Sequence, residues 1–209
     1  HNLDCDFKRV TGYLYAEKEV NEKSVEEEYE YCRRVGLKVN LVDEIPLPIH
    51  VYKAIEFADQ AQFNSQKYLE GLSGNLGTNC EIYENSRVKK YKHKDKKRIT
   101  ENGSVTAHHV ILATHLPLFI NIHQTTAAPY RSYVVTAKLA EYPPHGLYWD
   151  NMEPYHYTRV YEHHGEKWLV VGGADHKAGH DDDEKDYFAE LERYVKDRYP
   201  VESFVHRWS

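Results

Sequence analysis

At 209 residues with 27 lysines and arginines against 33 aspartates and glutamates, the chain carries a formal charge of −6. That balance excludes bulk attraction to nucleic acid or to an anionic membrane. No apolar run approaches the ~20 residues of a membrane span, and the length suffices for a substantial core in one domain or two small ones.

Phe7 to Ala16 is β-rich around Gly12, which predicts a strand with a bulge or a close backbone approach. Ser24 to Gly36 predicts a helix: Ser24 and Glu27 form a capping box, Gly36 suits a left-handed C-terminal cap, and Val25, Tyr29, Cys32 and Val35 supply the apolar stripe. Lys38 to Ile45 reads as a strand closed by Pro46 and Pro48, while Ile55 to Gln62 carries no clear signal. Asn64 predicts the N-cap of a helix bearing Tyr68, Leu69, Leu72 and Leu76, ended by Gly77. Cys80 to Tyr91, Arg98 to Glu101 and Ser104 to Ala113 predict a β-meander, with Asn102-Gly103 as a hairpin turn needing positive φ. Val110 to Ala113 is wholly apolar and reads as a strand covered on both faces. It ends at Thr114, His115 and Pro117.

Arg131 to Leu139, Gly146 to Tyr161 and Lys167 to Gly173 predict further strands. The acidic run Asp181 to Glu184 predicts the cap of a helix from about Lys185 to Tyr199, with Phe188, Leu191 and Val195 buried and Pro200 beyond. Phe204 to Ser209 reads as a strand without a following turn. With Met152 as the only methionine and His1 at the start, the expectation is an internal piece of a longer protein. Strands and helices mix without βαβ regularity, so the class expected is α+β: a mixed, largely antiparallel sheet flanked by helices, with an inserted β-meander and strand.

Side chains two apart on a strand share a face. Tyr155, Tyr157, Arg159 and Tyr161 therefore line one face, and Arg131, Tyr133 and Val135 line one face of theirs. Arginine among tyrosines suits a planar anion such as an amino-acid or hydroxy-acid carboxylate, the guanidinium forking the oxygens. The same pattern also arises when arginine merely stacks on aromatics to cover a sheet.

Asp175, His176, His180 and Asp181 to Asp183 lack metal-ligand spacing and read as a solvated helix cap, so no metal is expected. The basic run Arg87 to Arg98 is compatible with a nucleic-acid or anion patch, but reads better as a solvated hairpin whose lysines discourage edge pairing. Asn102-Gly103-Ser104 matches a glycosylation sequon but reads as a turn. Cys5, Cys32 and Cys80 are too far apart for a C-x-x-C pair, which points to reduced thiols and a cytoplasmic location. Neither G-x-S-x-G, a P-loop nor G-x-G-x-x-G occurs, so a dinucleotide phosphate loop is absent from this chain.

Several segments nevertheless carry a resemblance: F-A-D-Q-A-Q-F-N at Phe57 to Asn64, C-E-I-Y-E-N-S-R-V at Cys80 to Val88, H-V-I-L-A-T-H at His109 to His115, P-Y-R-S-Y-V-V at Pro129 to Val135, Y-H-Y-T-R-V at Tyr155 to Val160, G-G-A-D-H at Gly172 to His176, and the closing R-W-S. Together they resemble the FAD-dependent oxidoreductases of the D-amino-acid oxidase type, which include glycine and sarcosine oxidases. Within that group they most resemble the bacterial members that carry a C-terminal Rieske domain.

The resemblance implies a substrate-binding domain from residues 1–78 and 115–209, and a middle segment of the FAD-binding domain at 79–114. It implies FAD contacts at Val88, Ala113 and Thr114, although His115 stands where many flavoproteins have glycine. It further implies a substrate sheet carrying Arg131, Tyr133, Tyr155, Tyr157 and Arg159, and a Rieske [2Fe-2S] cluster in a separate domain. The implied chemistry is hydride transfer from an amine-bearing carbon to flavin, with no side chain required as a strong base. The fragment alone is expected to be inactive and to partner with the rest of its own polypeptide. The alternative is a non-enzymatic module that binds carboxylates or a partner protein through the tyrosine-rich sheet. Self-association is expected in either reading.

Overall fold

A computed structural model describes residues 3–92, 97–114, 130–163, 165–177 and 186–209. It divides into two compact units: residues 1–5 with 64–127, and residues 6–63 with 128–209.

The larger unit is organised by one eight-stranded sheet. Its strands are β1 (Lys8–Ala16), β2 (Val39–Val42), β3 (Lys53–Gln62), β7 (Tyr130–Leu139), β8 (Gly146–Asp150), β9 (His156–His163), β10 (Glu166–Lys177) and β11 (Val201–Trp208). They lie in the order β11-β7-β10-β9-β8-β1-β3-β2. Only β1 and β8 run parallel; the other neighbours are antiparallel. The class is therefore α+β with a mixed, mostly antiparallel sheet, as the strand patterns indicate. Ile55 to Gln62, without a clear local signal, is all but the first two residues of β3, paired with β1 to its end and with β2 as far as Phe57. The register of β1 on β3 shifts between Val10 and Gly12, with the extra residue on β3, where Asp59 has φ +61°, so the bulge expected at Gly12 lies on the partner strand.

Helix α1 (Glu22–Arg34) covers the β1–β3–β2 end of one face, burying Val25 and Ile55 against Leu14, Tyr29, Val39, Leu41 and Phe57. It begins two residues before Ser24, through a 3-10 turn at Glu19–Asn21, so the expected capping box does not form. Ser24 instead donates to the Asn21 carbonyl at 2.9 Å. Gly36 has φ +83° and closes the helix as expected, but Val35 is exposed.

Helix α3 (Tyr187–Lys196) packs on the opposite face. There Leu191, Tyr194 and Val195 join Tyr13, Tyr15, Tyr133, Val135, Tyr148, Val160, Leu169 and Val171 in the main core. Its N-cap is Asp186, which accepts from the Ala189 amide at 3.0 Å. The acidic run 181–184 lies outside the described residues.

In the smaller unit, α2 (Ser65–Gly74) starts where expected: Asn64 Oδ1 accepts from the Lys67 amide at 3.1 Å. Its apolar residues Tyr68, Leu69 and Leu72 are exposed. The meander is β4 (Lys90–Lys92), β5 (Lys97–Ile99) and β6 (Ser104–Thr106). The β5–β6 loop runs from Thr100 to Gly103, with the Thr100 amide bonded to the Gly103 carbonyl at 2.9 Å. Neither Asn102 nor Gly103 has positive φ, so a four-residue loop replaces the two-residue turn.

Val110 to Ala113 is not a buried strand. It lies beyond β6 without ladder pairing, and Ile111 is 91% exposed. A wholly apolar run becomes a buried strand only when strands pair with it and layers cover both its faces; the described residues provide neither. His115 and Pro117 fall outside them.

Leu191 is wholly buried between α3 and the sheet, whereas Leu69 on α2 is 63% exposed. Leu191→Ala should lower unfolding stability by about 2–5 kcal/mol and Leu69→Ala by less than about 0.5 kcal/mol. Urea denaturation of the two variants checks this.

Candidate functional site

Strand β9 carries different chemistry on its two faces. His156, Thr158 and Val160 are buried, while Tyr155, Tyr157, Arg159 and Tyr161 are half-buried or exposed.

The inward face is anchored by Asp150, at the end of β8, whose side chain is fully buried. Its Oδ1 accepts from the amides of Met152 at 3.2 Å and His156 at 2.8 Å. Its Oδ2 accepts from His156 Nδ1 at 2.8 Å and from the Tyr194 hydroxyl at 3.2 Å. The His156 and Tyr194 rings stack at 3.8 Å, and the Arg198 guanidinium lies 3.7 Å over the other side of Tyr194. Arg198 forks Glu17 at 3.2 and 2.6 Å. Burial is the first cause that pushes the hydroxyls of Tyr15, Tyr148, Tyr194 and Tyr199 well above the ordinary tyrosine value. The charges of Asp150 and Glu17 add to this for Tyr194.

Nothing in the residue pattern singled out Asp150, Tyr194 or Arg198. The available signal was an aspartate ending one strand, six residues before a histidine that starts the next. An aspartate so placed can bond backbone amides two residues on and hold a turn.

The outward face is built by register. Arg159 stands opposite Leu147 on β8 and Val170 on β10; Tyr157 stands opposite Trp149 and Gly172. Directly opposed side chains share a face, so this face presents a guanidinium between aliphatic neighbours with aromatic rings one rung along. Arg159 also lies 5.8 Å from the centroid of the Tyr161 ring. Tyr155 and Tyr157 have ring centroids 6.3 Å apart.

Arg131 and Tyr133 do not join this group. The register sets Tyr133 opposite Gly173, which faces His156 in turn, so Tyr133 belongs to the side covered by α3. It is 8% exposed and packs against His176, Tyr187 and Phe188. Arg131 falls on that side by the strand period, exposed near the start of β7. The pattern therefore joins Tyr155, Tyr157 and Arg159 and separates them from Arg131 and Tyr133.

His176 stacks on Tyr187 at 4.2 Å, while Asp175 faces the Tyr155 hydroxyl and raises it, after burial. His180 and Asp181 to Asp183 lie outside the described residues. Among the described residues no group of His, Cys, Asp or Glu is arranged to hold a metal, and no helix is long and apolar enough to cross a membrane. In the smaller unit Val88, Ala113 and Thr114 are all exposed, Val88 just before β4 and the other two beyond β6.

A family model described as FAD dependent oxidoreductase matches residues 1–209. Among curated proteins the chain is similar to YhfW of Bacillus subtilis (strain 168), named provisionally as a Rieske 2Fe-2S iron-sulfur protein. The two are 24% identical across the whole of this chain and 42% of the relative. Among solved structures, glycine oxidase from Bacillus cereus ATCC 14579 superposes with a TM-score of 0.72 at 13% identity, over 99% of this chain and 60% of that one. L-proline dehydrogenase from P. horikoshii gives 0.64 at 16% identity, over 98% and 60%. The chain thus spans less than half of its curated relative and about three fifths of these structures; the likeness to the latter is one of fold.

The buried hydroxyls set a pH dependence. Their folded values lie above the unfolded value of 10.0, so the folded state holds protons that the unfolded state releases. Stability should be unaffected by these groups below about pH 10 and fall above it, by up to about 1.4 kcal/mol per pH unit for each tyrosine. Urea midpoints at pH 8, 9.5 and 11 check this, and Tyr199→Phe should make the alkaline fall shallower.

Proposed function

This chain belongs to the FAD-dependent oxidoreductase family, and we propose that its larger unit is the substrate-binding part of an enzyme that oxidises an amine or amino acid. In this reading residues 79–114 belong to the cofactor-binding part, with Val88, Ala113 and Thr114 beside the flavin. The observation that carries the reading is the outward face of β9, where Arg159 lies on the same side as Tyr155, Tyr157, Trp149 and Leu147. Arg159 forks the substrate carboxylate; the phenols add hydrogen bonds and apolar walls. Arg131 and Tyr133 are left out of the carboxylate site, because Tyr133 is built into the aromatic stack on the other side.

Toward FAD itself the described residues fit in part. Val88 and Val110 to Thr114 offer exposed, mostly apolar surface. A pyrophosphate needs free amides at a glycine-rich helix start, and the described helix starts are already closed. Asn64 caps α2, Asp186 caps α3, and a 3-10 turn leads into α1. The phosphates therefore do not fit the described residues, and none of these is given a role in holding them.

When bound, FAD would supply the oxidation, as an acceptor for hydride from the carbon that bears the amine. The residues described here bind and orient the substrate. The three free cysteines suit a reducing compartment, which supports a cytoplasmic location. The name of YhfW supports a Rieske [2Fe-2S] domain as a further part of such a protein.

Calorimetric titration with acetate tests the carboxylate site. Arg159→Ala should weaken binding by at least about tenfold, whereas Arg131→Ala should change it by less than about twofold. The reverse result would overturn the assignment. A full-length parent protein that purifies colourless and takes up no added FAD would overturn the wider reading.

A further inference from the structure

We infer that Gly172 is a specificity-determining position: its missing side chain opens the outward face of β9 to carboxylates bearing a ring or a branched chain. The inference rests on the reading of Arg159 given above.

A Cβ placed on Gly172 would stand 2.0 Å from Cζ, 2.2 Å from Oη and 2.5 Å from Cε2 of Tyr157. The tip of the tyrosine ring therefore lies directly on the backbone of β10, in space that any other residue would fill. Gly172 does not have a left-handed backbone, unlike its neighbour Gly173 at φ +152°. Space, not conformation, is what the glycine provides here. On the far side of β8 the tryptophan makes no such demand: a Cβ on Gly12 would meet Gln60 Cγ first, at 3.2 Å. The Cβ position of Gly12 on β1 lies 3.5 Å from Cζ3 of Trp149, in ordinary contact.

Trp149 and Tyr157 are directly opposed in the β8–β9 ladder, close enough for their rings to meet. They turn away from one another instead, tryptophan towards β1 and tyrosine towards β10. On this geometry the floor between them, one rung from the Leu147–Arg159 pair, is the space left for a substituent. A carboxylate forked by Arg159 extends its substituent over this floor, between two aromatic walls. A flat ring or branched aliphatic group fills that space, and a glycine-sized ligand leaves it empty. Alanine at 172 would push the Tyr157 ring off β10 and back towards Trp149, closing the gap without touching the guanidinium.

Titration of the chain with acetate and with phenylacetate tests this. Wild type should bind phenylacetate more tightly than acetate, by about tenfold. Gly172→Ala should remove most of that advantage, about tenfold for phenylacetate against less than about twofold for acetate. In a Tyr157→Ala background the same glycine substitution should have no effect, because the ring it displaces is gone. If Gly172→Ala does not fold, Trp149→Ala removes the other wall, and should cost phenylacetate about threefold more than it costs acetate.

Equal losses for the two ligands would overturn the inference, as would a Gly172 effect that persists without Tyr157, or a wild type that does not distinguish the ligands. A wild type that binds neither brings down the Arg159 reading and this inference with it; binding of both without selectivity brings down this inference alone.

Discussion

A carboxylate without access to water has to be surrounded by donors, and Asp150 meets that demand with four: two amides, an imidazole N–H and a phenol. A buried charge short of partners would cost several kcal/mol, so these contacts over-determine the turn from β8 to β9. They also fix the phase of β9. With His156 tied inwards, Thr158 and Val160 must follow it into the core, and Tyr155, Tyr157 and Arg159 must face out. The candidate ligand face is thus set from beneath, by a network that touches none of its side chains.

The sheet makes unequal use of its two faces. One is sealed by α3 and by the segment around Leu47 and Val51. Among the described residues the other is sealed at its β1–β3–β2 end, by α1. Between β8 and β10 the outward face keeps a half-exposed arginine, a half-exposed tyrosine and a tryptophan that is 37% exposed. A small residue beneath a large one shapes that face: the Tyr157 ring lies over Gly172, whose missing side chain leaves it room. Packing of this kind is stiff, since a strand cannot withdraw from a side chain placed on it without breaking its ladder.

The smaller unit is built differently. Its helix and three short strands keep Leu69, Ile111, Leu112 and Val105 on the outside. Local signals alone account for its elements, a cap at Asn64 and a loop before Ser104, and little of its apolar surface is used up in its own core.

Much of the fold was legible residue by residue, because helix caps, strand alternation and turns depend on neighbours in the chain. Gly36, Asn64 and the alternation of β9 each announced a local geometry that the structure has. The α1 start moved two residues because a 3-10 turn and the Asn21 carbonyl outcompeted a local capping box. Val110 to Ala113 failed as a buried strand because burial on both faces needs partners that no local pattern supplies. The period of two correctly grouped residues within each strand, yet it could not say which phase of β7 faces the same way as which phase of β9. That relation is set by the hydrogen-bond register through β10, and it parted Arg131 and Tyr133 from Arg159. Alternation is a property of a single chain segment and can be read from composition; register is a property of segments far apart, chosen only when they pair.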